Sequence, residues 1–114
     1  YQEVAWKALQ NESAPSIKYL ARRGATTFWE VWPMEADEKE TYSRSQSHPF
    51  QAGFGSWFFS GLAGLAPDLE NPGFRTIKME PQMMDGLDWV RCSFNSSMGE
   101  IKSSWHRSNA TFTW

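Results

Sequence analysis

Residues 47–65 read SHPFQAGFGSWFFSGLAGL and run directly into Ala66-Pro67-Asp68, where the pattern of the chain changes. Large apolar residues recur in this stretch at three- and four-residue steps, which predicts a helix from Ser47 to about Leu65. Ser47 is the candidate N-cap residue, and Pro49 falls in the first turn, where proline is tolerated. The helix would end where the proline of the next segment begins to interrupt it.

Four glycines lie inside this predicted helix, at positions 53, 55, 61 and 64. Each one destabilises a helix by roughly 1 kcal/mol relative to alanine, so intrinsic propensity does not explain the segment. Glycine lets another backbone approach closely. The composition therefore indicates a helix packed inside a larger helical assembly.

On the C-terminal side the spacing of apolar residues changes from the helical period to alternation. Phe74–Glu80 alternates at period two after the turn Asn71-Pro72-Gly73, which predicts the first strand. Further strands are predicted at 87–94, 101–106 and 111–114. Helices before about residue 66 and antiparallel strands after it predict an α+β fold class.

On the N-terminal side two short helices are predicted. Val4, Ala5, Ala8 and Leu9 have helical spacing, and the segment 11–15 then interrupts the pattern. Ser16 is the candidate N-cap of a second helix. That helix would carry Ile17, Leu20 and Ala21 on its apolar face, arginines in its last turn and Gly24 just beyond it.

Between these helices and the glycine-rich segment lies Gly24-Ala25-Thr26-Thr27-Phe28-Trp29-Glu30-Val31-Trp32-Pro33. Its β-branched and aromatic residues follow a helix stop and end at a proline, which favours extended backbone. In extended backbone Phe28, Glu30 and Trp32 lie on one side, so a carboxylate stands between two rings. Rings desolvate a carboxylate, which suits general acid or base chemistry, and they offer a surface on which a sugar stacks.

Glu30 and His48 each have a second interpretation. Glu30 could instead pair with an arginine such as Arg22 or Arg44 and hold the loop. His48 lies at the predicted start of the glycine-rich helix, where the helix dipole disfavours its protonated form and a neutral ring can hydrogen-bond a hydroxyl. It could equally be a residue that only starts the helix.

Composition excludes several function classes. The net charge of −2 and the scattered charges exclude the basic surface of a nucleic-acid binder. No apolar stretch is long enough to span a membrane, and nothing predicts a cofactor or a metal site.

Cys92 is the single cysteine, so no disulfide framework forms within the chain. The N-terminus lacks the features of a signal peptide, which leaves the location open and compatible with secretion or the periplasm.

The segment Gly24–Trp32 resembles the G-A-T-T-x-W-E-x-W signature of α-L-rhamnosidases of glycoside hydrolase family 78. The block Ser47–Gly53 resembles that family's N-H-Y-A-x-G motif, and Leu62–Leu65 its V-A-G-I-like sequence. Glu80-Pro81-Gln82 and Gly99-Glu100-Ile101 resemble its passage into a C-terminal β-domain. Val31 stands where the family often has arginine, and Ser47 and Pro49 replace asparagine and tyrosine, which bears on sugar specificity more than on reaction class.

The resemblance implies that residues 1–66 are the last helices of an (α/α)6 glycosidase barrel and that residues 67–114 begin a C-terminal antiparallel β-sandwich. It implies an inverting hydrolase of terminal α-L-rhamnosides in which Glu30 is the general base. His48, Trp29 and Trp32 would bind the sugar of a rhamnose-containing oligosaccharide or glycoside. The general acid would lie in a missing N-terminal remainder of the parent enzyme, so the fragment alone is expected to be inactive.

Two other functions fit the aromatic content of seven tryptophans and eight phenylalanines. A non-catalytic carbohydrate-binding module would show a flat row of exposed rings from Trp89, Trp105 and Trp114. A purely structural domain would bury all of these rings together with Trp29 and Trp32.

Overall fold

The computed structural model describes residues 1–32 and 44–114. These residues form two compact units, Tyr1–Phe54 and Gly55–Trp114, which are described one at a time. Helices and loops make up the described part of the first unit, whereas the second begins with helical turns and continues as antiparallel strands. The predicted α+β order of helices followed by strands is confirmed.

The two N-terminal helices are present where the spacing predicts them. Helix α1 spans Gln2–Gln10 and α2 spans Ile17–Arg22. Ser16 caps α2 as predicted, because its hydroxyl accepts a hydrogen bond from the Tyr19 N–H at 3.0 Å and donates one to the Asn11 carbonyl at 2.6 Å. Gly24, at φ +81°, follows the last turn in the left-handed conformation that glycine adopts readily. The N-cap predicted at Ser16 and the glycine predicted just beyond α2 are therefore both confirmed.

The single helix predicted from Ser47 to Leu65 is wrong. A 3₁₀ helix occupies Pro49–Ala52 at the end of the first unit, with His48 rather than Ser47 in the N-cap position. In the second unit one α-helical turn, α3, spans Gly55–Trp57, and a π-helical turn spans Phe58–Leu62. Glycines make a continuous α-helix unfavourable here, and the wider π turn brings the Trp57 ring against Gly61, where a Cβ would overlap the indole.

A two-stranded antiparallel sheet follows the π turn. Strand β1 spans Leu65–Pro67 and β2 spans Ile77–Met79, with Ala66 opposite Lys78. Gly64 has φ +73°, and a Cβ there would overlap the Pro81 backbone, so the close approach expected of a glycine occurs at this position. Strand β1 is missing from the sequence prediction, and β2 is shorter than the predicted 74–80.

A three-stranded antiparallel sheet completes the second unit. Strands β3 (Trp89–Ser96), β4 (Gly99–Ser108) and β5 (Thr111–Thr113) pair in the order β3-β4-β5. The predicted strands are all present, although β4 is longer at both ends than the predicted 101–106. Exposure alternates along β3 and through much of β4, as expected for a sheet with one face packed and one in solvent.

The core of the second unit centres on Trp105, which is 1% exposed. Its indole N–H donates to the Leu62 carbonyl at 2.8 Å, and the Ser103 hydroxyl donates to the Ala63 carbonyl at 2.7 Å. These two bonds satisfy carbonyls at the end of the π turn that have lost their regular helical partners. The inner face of β4 therefore fixes both the packing and the polar groups of the preceding helical turns.

Candidate functional site

The segment that contains Glu30 is held by a second loop segment at residues 45–48. The His48 N–H donates to the Phe28 carbonyl at 2.7 Å, and the Glu30 N–H donates to the Ser45 carbonyl at 2.9 Å. The Thr27 hydroxyl also bonds the Gln46 carbonyl. The predicted extended backbone does not form a regular strand, but these bonds bring the Glu30 and His48 segments side by side.

The Glu30 side chain is half-buried, and one carboxylate oxygen accepts a hydrogen bond from the Ser45 N–H at 3.2 Å. Among residues 1–32 and 44–114 no lysine or arginine forms an ion pair with this carboxylate. Arg22 instead pairs with Glu12 at 2.7 Å. The Arg22 pairing weighed for Glu30 is therefore not formed, and the carboxylate keeps acceptor capacity for another donor.

Gln51 is bonded to the Glu30 backbone, and sequence reasoning missed it. Its amide nitrogen donates to the Glu30 carbonyl oxygen at 3.1 Å, across 21 positions of the chain. Its own amide oxygen is buried and has no hydrogen-bond partner among the described residues. Gln51 lies inside the block that resembles the family's second motif, but nothing local in the sequence indicates that it bonds the Glu30 backbone.

His48 is half-buried at the start of the 3₁₀ helix. Its ring lies 5.7 Å from the ring of Phe50, centroid to centroid, at an interplanar angle of 53°. Its backbone N–H is already used by Phe28, so only the imidazole nitrogens remain to bind a ligand. The predicted position near a helix start is confirmed, but this helix is one 3₁₀ turn.

The aromatic residues around Glu30 differ in exposure. Trp29 is 7% exposed and belongs to the buried part of the first unit with Leu20. Trp32 is half-buried. The Phe28 ring packs edge-on against Phe54, with centroids 5.3 Å apart and an interplanar angle of 83°. Trp29 therefore presents little surface, whereas Trp32 retains more of its ring for contact with a ligand.

A cavity of about 120 Å³ lies in the first unit beside the beginning of the Glu30 segment. It lies between α2 and the chain that follows it, and its lining residues are Ile17, Leu20, Ala21, Ala25, Thr26, Thr27 and Phe28. None of the four predicted site residues lines it. The cavity is small for a sugar site, because ligand pockets usually measure about 300–1,000 Å³.

The predicted row of exposed tryptophans in the strands is not formed. Trp89 is 64% exposed and Trp114 is 53% exposed, but Trp105 is buried in the core. A flat binding surface built from all three rings is therefore wrong. Burial of every ring, expected of a purely structural domain, is also wrong, because two of these three face solvent.

The described parts of the chain hold no group of three or more metal-binding side chains that could share an ion. None of the helices in residues 1–32 and 44–114 is long and apolar enough to cross a bilayer.

Two protein-family models match the chain in sequence order. Residues 1–62 match the bacterial alpha-L-rhamnosidase 6 hairpin glycosidase domain, and residues 64–114 match the bacterial alpha-L-rhamnosidase C-terminal domain. The first match covers more than half of the chain. The predicted order of a helical barrel domain followed by a β-rich C-terminal domain is thereby confirmed.

Known proteins similar to the chain are named alpha-L-rhamnosidase, as the two family models are. An alpha-L-rhamnosidase of Formosa agariphila is 29% identical over 96% of this chain. The alpha-L-rhamnosidase structure from Dictyoglumus thermophilum superposes with a TM-score of 0.86, 29% identity and 98% coverage of this chain. The structure of the Streptomyces avermitilis enzyme complexed with L-rhamnose gives a TM-score of 0.83, 25% identity and 96% coverage. The chain spans only 11–12% of the length of these three proteins.

Proposed function

The chain belongs to the bacterial alpha-L-rhamnosidase family, and on that basis we propose that it is part of an inverting hydrolase of terminal α-L-rhamnosides in which Glu30 is the general base. The observation that carries the proposal is the state of the Glu30 carboxylate. It is half-buried, it is anchored by one backbone N–H of Ser45, and it has no ion pair within the described residues. A carboxylate in this state can accept a proton from water.

The surrounding bonds support this role because they fix the position of Glu30. Ser45 bonds both its backbone N–H and its carboxylate, and Gln51 bonds its carbonyl. A general base must lie within about 2.6–3.2 Å of the atom whose proton it takes, so a backbone held from two directions favours catalysis. Ser45 and Gln51 are positioning residues in this proposal.

His48 and the tryptophans would bind the sugar. The backbone N–H of His48 donates a hydrogen bond to the Phe28 carbonyl at 2.7 Å, which places the His48 imidazole on the segment next to Glu30. Half-buried Trp32 would stack on the sugar ring, and Trp29 would contact it through the small part of the indole that is still exposed. The ligand class is a rhamnose-containing oligosaccharide or glycoside.

An inverting enzyme needs a second carboxyl group about 6.5–9.5 Å from the base, with water between them. The general acid would come from the remainder of the parent enzyme, which we propose as the partner of this chain. The 114-residue chain alone would then be inactive. We also propose that the barrel part comprises residues 1–66 and the β-sandwich part residues 67–114; the family models meet slightly earlier, between residues 62 and 64.

The test uses the full-length parent enzyme. Glu30→Gln keeps the shape of the side chain but removes the proton acceptor, so turnover of an aryl α-L-rhamnoside should fall by about 10²–10⁴-fold. Glu3→Gln is the matched control, since Glu3 is an exposed helix residue. The proposal for Glu30 is wrong if its variant stays within a few-fold of the control.

Sugar binding is tested separately in the same enzyme. His48→Ala should weaken binding of the rhamnoside by about 1–3 kcal/mol, through loss of one hydrogen bond, and should affect the chemical step less. The stereochemistry is read by NMR of the first product formed. Release of the sugar with retained anomeric configuration would overturn the inverting mechanism while leaving the substrate assignment intact.

A further inference from the structure

The outer face of the β3–β4 hairpin combines one exposed aromatic ring with polar side chains. Alternation along the two strands sorts their residues into an inner and an outer set. The outer set consists of Trp89, Arg91, Ser93 and Asn95 on β3 and Glu100, Lys102, Ser104 and His106 on β4. Trp89 is the one large apolar side chain in this set and is 64% exposed.

The two ends of this face differ in how their polar groups are satisfied. At the turn end Glu100 accepts a hydrogen bond from the Ser93 hydroxyl at 2.8 Å and pairs with Lys102 at 3.0 Å. At the Trp89 end, no residue in the described part of the chain hydrogen-bonds the side chains of Arg91, Ser104 or His106. One end is thus an internally paired network, whereas the other has donors and acceptors free for a ligand.

A cavity of about 320 Å³ lies at the Trp89 end and includes the side chains with free polar groups. Its lining residues are Trp89, Arg91, Ser104, Trp105 and His106. His106 is directly opposite Trp89 in the strand register, and Ser104 is opposite Arg91. The volume lies within the usual range of ligand pockets, about 300–1,000 Å³.

Trp89 has one ring face occupied and one available. The Arg91 guanidinium carbon lies over the indole, 5.9 Å from the ring centroid. This cation–π contact orders the ring. No second aromatic ring or cation stacks on Trp89 among residues 44–114, so a flat apolar group can pack against the opposite face.

We propose that Trp89, Arg91, Ser104 and His106 form a second carbohydrate-binding site, separate from the Glu30 site, that takes one sugar ring of a glycan. The C–H face of a pyranose would pack on the free face of Trp89, and its hydroxyls would bond Ser104 and His106, while Arg91 holds the indole from its other face. A protein partner fits less well, because interface cores are large and apolar while this ring is surrounded by polar residues. A nucleic acid fits less well because Glu100 balances Lys102 on the same face.

Binding is measured with the full-length parent enzyme by affinity electrophoresis in gels that contain a soluble polysaccharide with terminal α-L-rhamnosyl groups. Trp89→Ala should raise the dissociation constant for the polysaccharide by about tenfold through loss of the stacked ring. Trp89→Phe keeps an aromatic face and should retain most of the binding. Trp114→Ala removes another half-exposed tryptophan, outside the cavity, and should bind as the unmodified enzyme does.

Turnover of a small aryl α-L-rhamnoside and the melting temperature are measured for the same variants. Both should remain unchanged in Trp89→Ala, because the small substrate does not need the second site. The proposal is overturned if the unmodified enzyme is not retarded, if Trp89→Ala is retarded equally, or if Trp114→Ala loses as much. It is also overturned if binding, turnover and melting temperature of Trp89→Ala fall together. Failure of the Glu30 proposal is separate, since it is read from Glu30→Gln turnover.

Discussion

The two units of the chain keep their structure in different ways. In Gly55–Trp114 the buried apolar residues are Leu62, Ala63, Leu65, Met84 and Trp105, and two sheets order the backbone. In the described part of Tyr1–Phe54 only Leu20 and Trp29 are buried apolar residues. There the loops are held by hydrogen bonds between residues 27–30 and 45–48, and α2 is held by the ion pairs of Glu12 with Lys18 and Arg22.

This contrast has a physical consequence for each unit. A unit organised around a packed core is sensitive to changes in side-chain volume, because each lost methylene leaves space that neighbours only partly refill. A unit organised by caps, loop hydrogen bonds and surface charges is sensitive to loss of single polar groups and to pH. The candidate catalytic residue lies in the second kind of unit, where its position depends on few bonds.

The largest expected effect is the loss of Trp105. Trp105→Ala removes the largest fully buried side chain and leaves the Leu62 carbonyl without its donor, so the second unit should lose about 3–5 kcal/mol of unfolding free energy. Hydrogen exchange of β3–β5 amides in the parent enzyme measures this. Trp89→Ala, at an exposed position, should change stability by less than about 0.5 kcal/mol. Equal losses would show that Trp105 is not the centre of a core.

Gly64→Ala should have the next largest effect. At φ +73° a Cβ is strained, and it would also overlap the Pro81 backbone, so we expect a loss of about 2–4 kcal/mol. Gly73→Ala is the matched control, because Gly73 has φ +85° with open space around it and should lose only about 1–2 kcal/mol. Chemical denaturation of the parent enzyme compares them. If the two variants are equally stable, backbone crowding at Gly64 contributes nothing.

The same contrast explains what could be predicted from the sequence. Strands β3–β5 follow from alternation within each segment, and the α2 cap follows from residues that are neighbours in the chain. Strand β1 was not predictable, because Leu65-Ala66-Pro67 continues the helical spacing before it and pairs with β2 ten or more positions away. The division of the predicted 47–65 helix into 3₁₀, α and π turns also depends on tertiary packing, as at Gly61.

For the candidate site, Glu30 and His48 could be selected from motif resemblance and residue chemistry. The bonds that bring them together could not, because Phe28 to His48 and Glu30 to Ser45 and Gln51 join positions 15–21 residues apart. No periodicity specifies such loop pairing. Single-residue chemistry therefore identifies the candidate groups, whereas their arrangement has to come from the structure.

In the first unit the largest single polar effect is expected at Ser16. Ser16→Ala removes the acceptor for the Tyr19 N–H and the donor to the Asn11 carbonyl at a buried position, which should destabilise α2 by about 1–2 kcal/mol. Amide exchange at residues 19–23 of the parent enzyme reports this locally. Ser13→Ala is the control, since Ser13 is exposed and its bond to Asn11 uses the backbone. If amide protection at residues 19–23 is unchanged in Ser16→Ala, the Ser16 cap does not stabilise α2.

The smallest expected effect concerns Glu12, which pairs with Lys18 and Arg22 at 2.7 Å each. The hydrogen bond from Lys18, and then that from Arg22, holds the pKa of this carboxyl below its ordinary value of 4.5. A lowered folded-state pKa means that the unfolded chain binds the proton more readily, so the pair stabilises the fold above about pH 4.5 and loses this contribution as the pH falls through the lowered pKa. Glu12→Gln should therefore melt slightly below the unmodified enzyme at pH 7, and the difference should vanish at low pH. The melting-temperature difference should also shrink in 1 M salt, where the screening length is about 3 Å, because all three side chains are solvent-exposed to a large degree.

A melting-temperature difference that persists at low pH and in high salt would mean that Glu12 acts by packing. The first unit would then resemble the second more closely than its few buried residues indicate.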